Sequence, residues 1–80
     1  MEILYQDLIN INGSFQQQDI RYHVRYKNES TACLEPPGAC CCTPELQKRA
    51  FQLIEDYYHS RGMQVIFSDD CLYFSLKPED

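Results

Sequence analysis

The residues with the most chemistry in this 80-residue chain are its five cysteines. Cys33 and the run Cys40-Cys41-Cys42 lie within residues 28–43, and Cys71 lies near the C-terminus. An odd number of cysteines cannot all pair within one chain. In a reducing compartment the default is free thiols or metal ligands. A structural zinc site needs four Cys or His ligands in a tetrahedron, usually as two short-spaced pairs. Cys40 and Cys42 form one C-x-C, but no second compact pair accompanies it. Cys33, Cys71, His23 or His59 would complete the set only through tertiary contact. The first reading therefore has no cofactor and no metal ligand, and zinc on Cys33, Cys40 and Cys42 is the alternative.

Nucleophilic chemistry would fall to Cys42, just before a helix start, where the helix dipole lowers a thiol's pKa. A nucleophile also needs a base. His59 sits near the far end of that helix, about 25 Å away at roughly 1.5 Å per residue, and nothing in the sequence brings His23 closer. With only three glycines there is no phosphate-binding loop, and the acids nowhere match a calcium-loop spacing. No catalytic residue is assigned, and the chain is read as not an enzyme.

The second constellation is the alternation in residues 20–27, IRYHVRYK. Ile20, Tyr22, Val24 and Tyr26 form an apolar row, and Arg21, His23, Arg25 and Lys27 form a basic one. A period of two with β-branched and aromatic residues on one side is a strand signal. The basic row, with Tyr73 on the same sheet face, is the candidate partner-binding surface.

Three further elements must position these groups. Residues 43–62 predict a helix: Thr43 as N-cap, Pro44 in the first turn, Glu45 against the dipole and Gly62 as the stop. Leu46, Ala50, Phe51, Leu53, Ile54, Tyr57 and Tyr58 fall in one arc of roughly 160°. Residues 2–11 fit a strand or a helix, and Asn12-Gly13, a strong hairpin turn, tips them to strand. Residues 63–76 predict a hairpin about Asp69-Asp70, pairing Phe67 with Leu72, Val65 with Phe74 and Met63 with Leu76. A loop two residues longer keeps the same faces. Residues 28–43, with Pro36-Pro37-Gly38, read as one long connection. The expectation is a single α+β domain over residues 1–80. Its four-stranded, mainly antiparallel sheet has one helix on one face, in the order ββ-α-ββ. The helix covers Tyr22, Val24, Val65, Phe67, Leu72 and Phe74.

The formal charge of −5, from twelve acids against seven bases, argues against general affinity for a nucleic-acid backbone. Met1 is followed by acidic and polar residues rather than a basic then apolar run, so no secretory leader is read. No apolar stretch approaches the roughly 20 residues of a membrane span, and a cytoplasmic location is expected. Together these readings imply a non-enzymatic protein-binding module, a small acidic inhibitor or adaptor that docks on a larger protein or protein complex. It makes no direct nucleic-acid or membrane contact, and homo-oligomerisation is left open. One concrete form is a phage- or plasmid-type inhibitor covering the basic groove of a nucleic-acid-binding host protein. The alternative is a small metal- or thiol-based module on Cys33 and Cys40 to Cys42.

Overall fold

Two helices pack on one face of a four-stranded antiparallel sheet. The computed structural model describes residues 2–38 and 43–78. Its elements are α1 (Tyr5–Gln17), β1 (His23–Asn28), β2 (Thr31–Glu35), α2 (Pro44–His59), β3 (Met63–Phe67) and β4 (Tyr73–Pro78). The strands lie in the order β1-β2-β4-β3, so the two hairpins meet through β2 and β4 in the middle. The chain is thus a helix–hairpin unit written twice. The α+β class and the four-stranded antiparallel sheet stand as expected, and the ββ-α-ββ order holds roughly: a second helix, α1, precedes the first hairpin, against the one helix expected in all.

The helix α2 forms as its sequence dictates. Thr43 Oγ1 accepts from the Leu46 N–H at 3.1 Å, and Pro44 opens the first turn. Gly62 ends the segment at a φ of 75°. Ala50, Ile54 and Tyr58 are fully buried, with Leu46, Phe51, Leu53 and Tyr57 partly buried around them.

Residues 2–11 correct the expectation. They are not a strand: α1 runs through Asn12-Gly13 without a turn. Leu8, Ile11 and Phe15 share one helical stripe and are buried. The periodicity continues to Phe15, past the dipeptide that reads locally as a turn. Packing of that stripe on the sheet outweighs the turn preference. Gly13 sits in the exposed middle of α1, with nothing within 4 Å of where a Cβ would stand. Gly13→Ala is expected to stabilise the fold by about 1 kcal/mol, raising the thermal midpoint by roughly 4–8 °C. A midpoint unchanged or lowered would contradict a helix here.

Residues 28–43 are not one connection either. β2 occupies Thr31–Glu35 and is paired on both sides, with Ala32 opposite Tyr26 and Phe74. Cys33 therefore belongs to a central strand and not to a loop shared with Cys40 to Cys42.

The second hairpin keeps its expected faces with the longer loop. Phe67 pairs with Phe74, Val65 with Leu76 and Met63 with Pro78. Leu72 leaves the core and is 43% exposed. The turn itself sets this length. Ser68 Oγ donates to Asp70 Oδ1 at 2.6 Å and accepts from the Tyr73 N–H. The Leu72 N–H donates to the same carboxylate oxygen, and Cys71 takes a φ of 60°. The Ser68 hydroxyl, then the Leu72 amide, hold the Asp70 carboxyl below its usual range. Its folded value lies below its unfolded one, so this contribution is present at neutral pH and lost as pH falls through the carboxylate range.

A single core joins the layers. Ile3, Leu8, Ile11 and Phe15 meet Val24, Leu34, Phe74 and Leu76 of the sheet and Ile54 and Tyr58 of α2. Asn12 adds a polar clasp. Its side chain accepts from the Val24 N–H at 2.8 Å and donates to the Val24 carbonyl at 3.0 Å. An amide side chain thereby takes the place of a neighbouring strand along the outer edge of β1.

Candidate binding face

With both helices on one side, the residues alternating with the core line the other side of the sheet. These are His23, Arg25 and Lys27 from β1, with Cys33 and Glu35 from β2. Gln64 and Ile66 of β3 and Tyr73, Ser75 and Lys77 of β4 complete it. An antiparallel sheet tolerates one solvated face because its backbone groups are already paired. Ile66 is 45% exposed there.

The register fixes which side chains meet. Arg25, Cys33 and Tyr73 are cross-strand partners in one row, and His23 stands opposite Glu35. Glu35 bridges two members of the basic row: Oε1 lies 3.3 Å from His23 Nδ1, and Oε2 accepts from Arg25 Nη1 at 3.3 Å. Both contacts are solvent-exposed, where an ion pair contributes about 0–1 kcal/mol. They orient the side chains more than they stabilise the fold. The pairing register shifts between Tyr26 and Asn28. From that irregularity Lys27 reaches past β2, placing Nζ 4.1 Å from the Tyr73 ring centroid. A cation held over an aromatic face at an exposed site contributes about 0.5–1 kcal/mol. The face therefore presents an ordered cationic ridge against a tyrosine, with Ile66 as its apolar neighbour.

Arg21 does not join this ridge as a strand residue. It precedes β1 and lines a shallow depression with Asp19, Thr43, Glu45, Leu46 and Arg49 at the start of α2. His23, Arg25, Lys27 and Tyr73 remain together.

Searches against known protein families, curated proteins and solved structures return no match.

The cysteines divide. Cys40, Cys41 and Cys42 lie outside the described residues. Cys33 and Cys71 are free, half-buried thiols on β2 and in the 68–73 turn. Among the described residues no group of three or more His, Cys, Asp or Glu is placed to hold a metal ion. No described helix is long and apolar enough to cross a membrane.

A second polar cluster joins the helices on the opposite side. Tyr57 Oη donates to Asp7 Oδ1 at 2.7 Å and accepts from Asn10 Nδ2 at 3.1 Å. Arg61 lies 4.0 Å from Asp7 and stacks its guanidinium 3.9 Å from the Tyr57 ring centroid. Burial, and then the neighbouring Asp7, push the Tyr57 hydroxyl above its usual range, so it stays protonated and donates. The Asp7 side chain is only 13% exposed. These groups satisfy one another and pin α1 to the C-terminal end of α2. The sequence offers no local sign of the cluster, because Asp7 and Tyr57 stand far apart and are joined only by packing.

Proposed function

We propose that this chain is a non-enzymatic binding protein that docks on a larger protein or protein complex through its uncovered sheet face. The reading rests on one observation: on the side of the sheet that carries no helix, Lys27 is held over the Tyr73 ring and Arg25 lies in the same cross-strand row, paired with Glu35. An acidic chain that collects cations on one flat, ordered surface is electrically suited to an acidic or phosphorylated partner surface. Complementary potentials of this kind govern encounter and orientation. Tyr73 and Ile66 supply the apolar contact that a charged surface lacks, and aromatic and arginine residues are common binding anchors.

The test uses the protein as bait in extract of its source cell, with captured proteins quantified by mass spectrometry. Arg25→Glu with Lys27→Glu is expected to reduce the captured partner roughly tenfold or more, as truncating close interfacial charge pairs does. Both residues are exposed, so the thermal midpoint should be nearly unchanged, and that measurement guards against misfolding. Capture of the same proteins in the same amounts would overturn the assignment.

A further inference from the structure

The two outer edges of the sheet are treated differently. At β1 the outward N–H and C=O of Val24 are both bonded by Asn12 of α1. At β3 the pattern of the ladder identifies the outward groups. The Ser68 N–H donates to the Tyr73 carbonyl at 2.9 Å, which makes Ser68 and Tyr73 a hydrogen-bonded pair. Such pairs recur every second residue, so Ile66 and Gln64 bond to β4, while Met63, Val65 and Phe67 turn their backbone groups outward. No described residue supplies a partner for those groups.

The internal duplication shows what is missing. Ile11 and Ile54 are both fully buried, each four residues before a buried aromatic, Phe15 and Tyr58. On that correspondence Asn12 answers to Glu55. Glu55 lines a groove with Asp56, His59, Met63, Gln64 and Val65 along this edge. A carboxylate cannot donate to a carbonyl, so it cannot reproduce the Asn12 clasp. No described residue hydrogen-bonds to or ion-pairs with the Glu55 carboxylate.

We infer that the β3 edge is a strand-addition site for an extended basic peptide segment of a partner protein. The segment's backbone pairs with Met63, Val65 and Phe67, and its Lys or Arg side chains on the helix side meet Glu55 and Asp56. Main-chain bonds supply affinity in such complexes, and alternate side chains supply selectivity. A second copy of this chain fits less well. A two-fold pairing of β3 with β3 about Val65 would bring Glu55 and Asp56 of both copies together, and like charges oppose that union. The site is distinct from the cationic face and would let one small chain hold two partners.

The probe is a synthetic peptide of alternating lysine and valine, about nine residues long, titrated into isotopically labelled full-length protein. The amide resonances of Met63, Val65 and Phe67 are expected to shift most. Replacing every lysine of the peptide by glutamate, or methylating alternate peptide nitrogens, should abolish the shifts. Val65→Pro removes an outward N–H without breaking a ladder bond and should weaken binding roughly tenfold or more, about 1.4 kcal/mol. Glu55→Lys with Asp56→Lys, on the exposed helix surface, should do the same and keeps the test valid if the proline variant fails to fold. Three results would overturn the inference. They are shifts confined to other acidic surfaces, equal binding of the methylated peptide, or concentration-dependent dimerisation of the free protein through β3.

Discussion

Asn12→Ala is expected to destabilise the fold by about 2–4 kcal/mol, because it strands both backbone groups of Val24. Val24 is 1% exposed, and its N–H and C=O have the Asn12 amide as their partner along the β1 edge. Removing a partner from a buried donor or acceptor costs about 1–3 kcal/mol for each group. Water entering the vacated edge sets the low end of the range. Asn12→Asp is the informative companion. It keeps an acceptor for the Val24 N–H but sets a carboxylate oxygen against the Val24 carbonyl, so it too should destabilise. Urea unfolding measures both losses, and hydrogen exchange at the Val24 amide should accelerate in the alanine variant. A loss within about 0.5 kcal/mol, the range of an ordinary surface change, would sink the edge-sealing role.

Phe74→Ala is expected to cost about 3–5 kcal/mol, the range for emptying an aromatic from a core. Phe74 is fully buried at the centre of the sheet, with its ring 6.0 Å from Tyr58 and 6.2 Å from Phe67 between centroids. An 80-residue chain has a total stability of about 4–12 kcal/mol, so the substitution removes a large share of it and unfolds the chain if the parent lies at the low end. A thermal midpoint lowered by roughly 12 °C or more, or loss of the cooperative transition, is the readout, and a midpoint near that of the parent would contradict the packing. Tyr58 offers a contrast within the same cluster. Its side chain is fully buried, yet its hydroxyl has no hydrogen-bond partner among the described residues. Burial, then the charge of Asp7, push that hydroxyl well above its usual range. Tyr58→Phe discards an unmet donor and keeps the ring, so it should be neutral or stabilising by about 1 kcal/mol. Ring volume, and not polar contact, is what this core requires of position 58.

The contrast between α2 and α1 marks how far the sequence could be read. α2 carries its own punctuation: Thr43, Pro44 and Gly62 act through local geometry, and the apolar arc needs no partner to be seen. α1 carries contrary punctuation. Leu4 gives it no side-chain cap, and Asn12-Gly13 looks like a turn until Phe15 is counted with Leu8 and Ile11. β2 was hidden for another reason. Thr31-Ala-Cys-Leu-Glu35 is short and poor in β-branched residues, and Pro36-Pro37-Gly38 follow at once. It is a strand because β1 and β4 both pair with it, and pairing across the sheet is not a local property. The candidate face was half legible. Alternation in residues 23–27 put His23, Arg25 and Lys27 on one side, but the closeness of Lys27 to Tyr73 depends on β4 lying next to β2. Glu35 was visible only as one acid among twelve, and its bridging of His23 and Arg25 follows from the β1–β2 register.

The duplicated plan also bears on how the chain reaches its native state. Each hairpin forms five cross-strand pairs between near neighbours in sequence, whereas β2 and β4 join through three, Thr31–Ser75, Ala32–Phe74 and Cys33–Tyr73, extended by the Leu34 N–H donating to the Leu72 carbonyl at 2.7 Å. Local pairings close small loops and form early, while the entropy of a large loop falls on the long-range contact. Most of the topological delay in folding is therefore concentrated in one event, the docking of two helix–hairpin halves. Ala32 and Phe74 lie at that seam without any exposed surface, so the halves are sealed by a methyl group and a ring meeting across it.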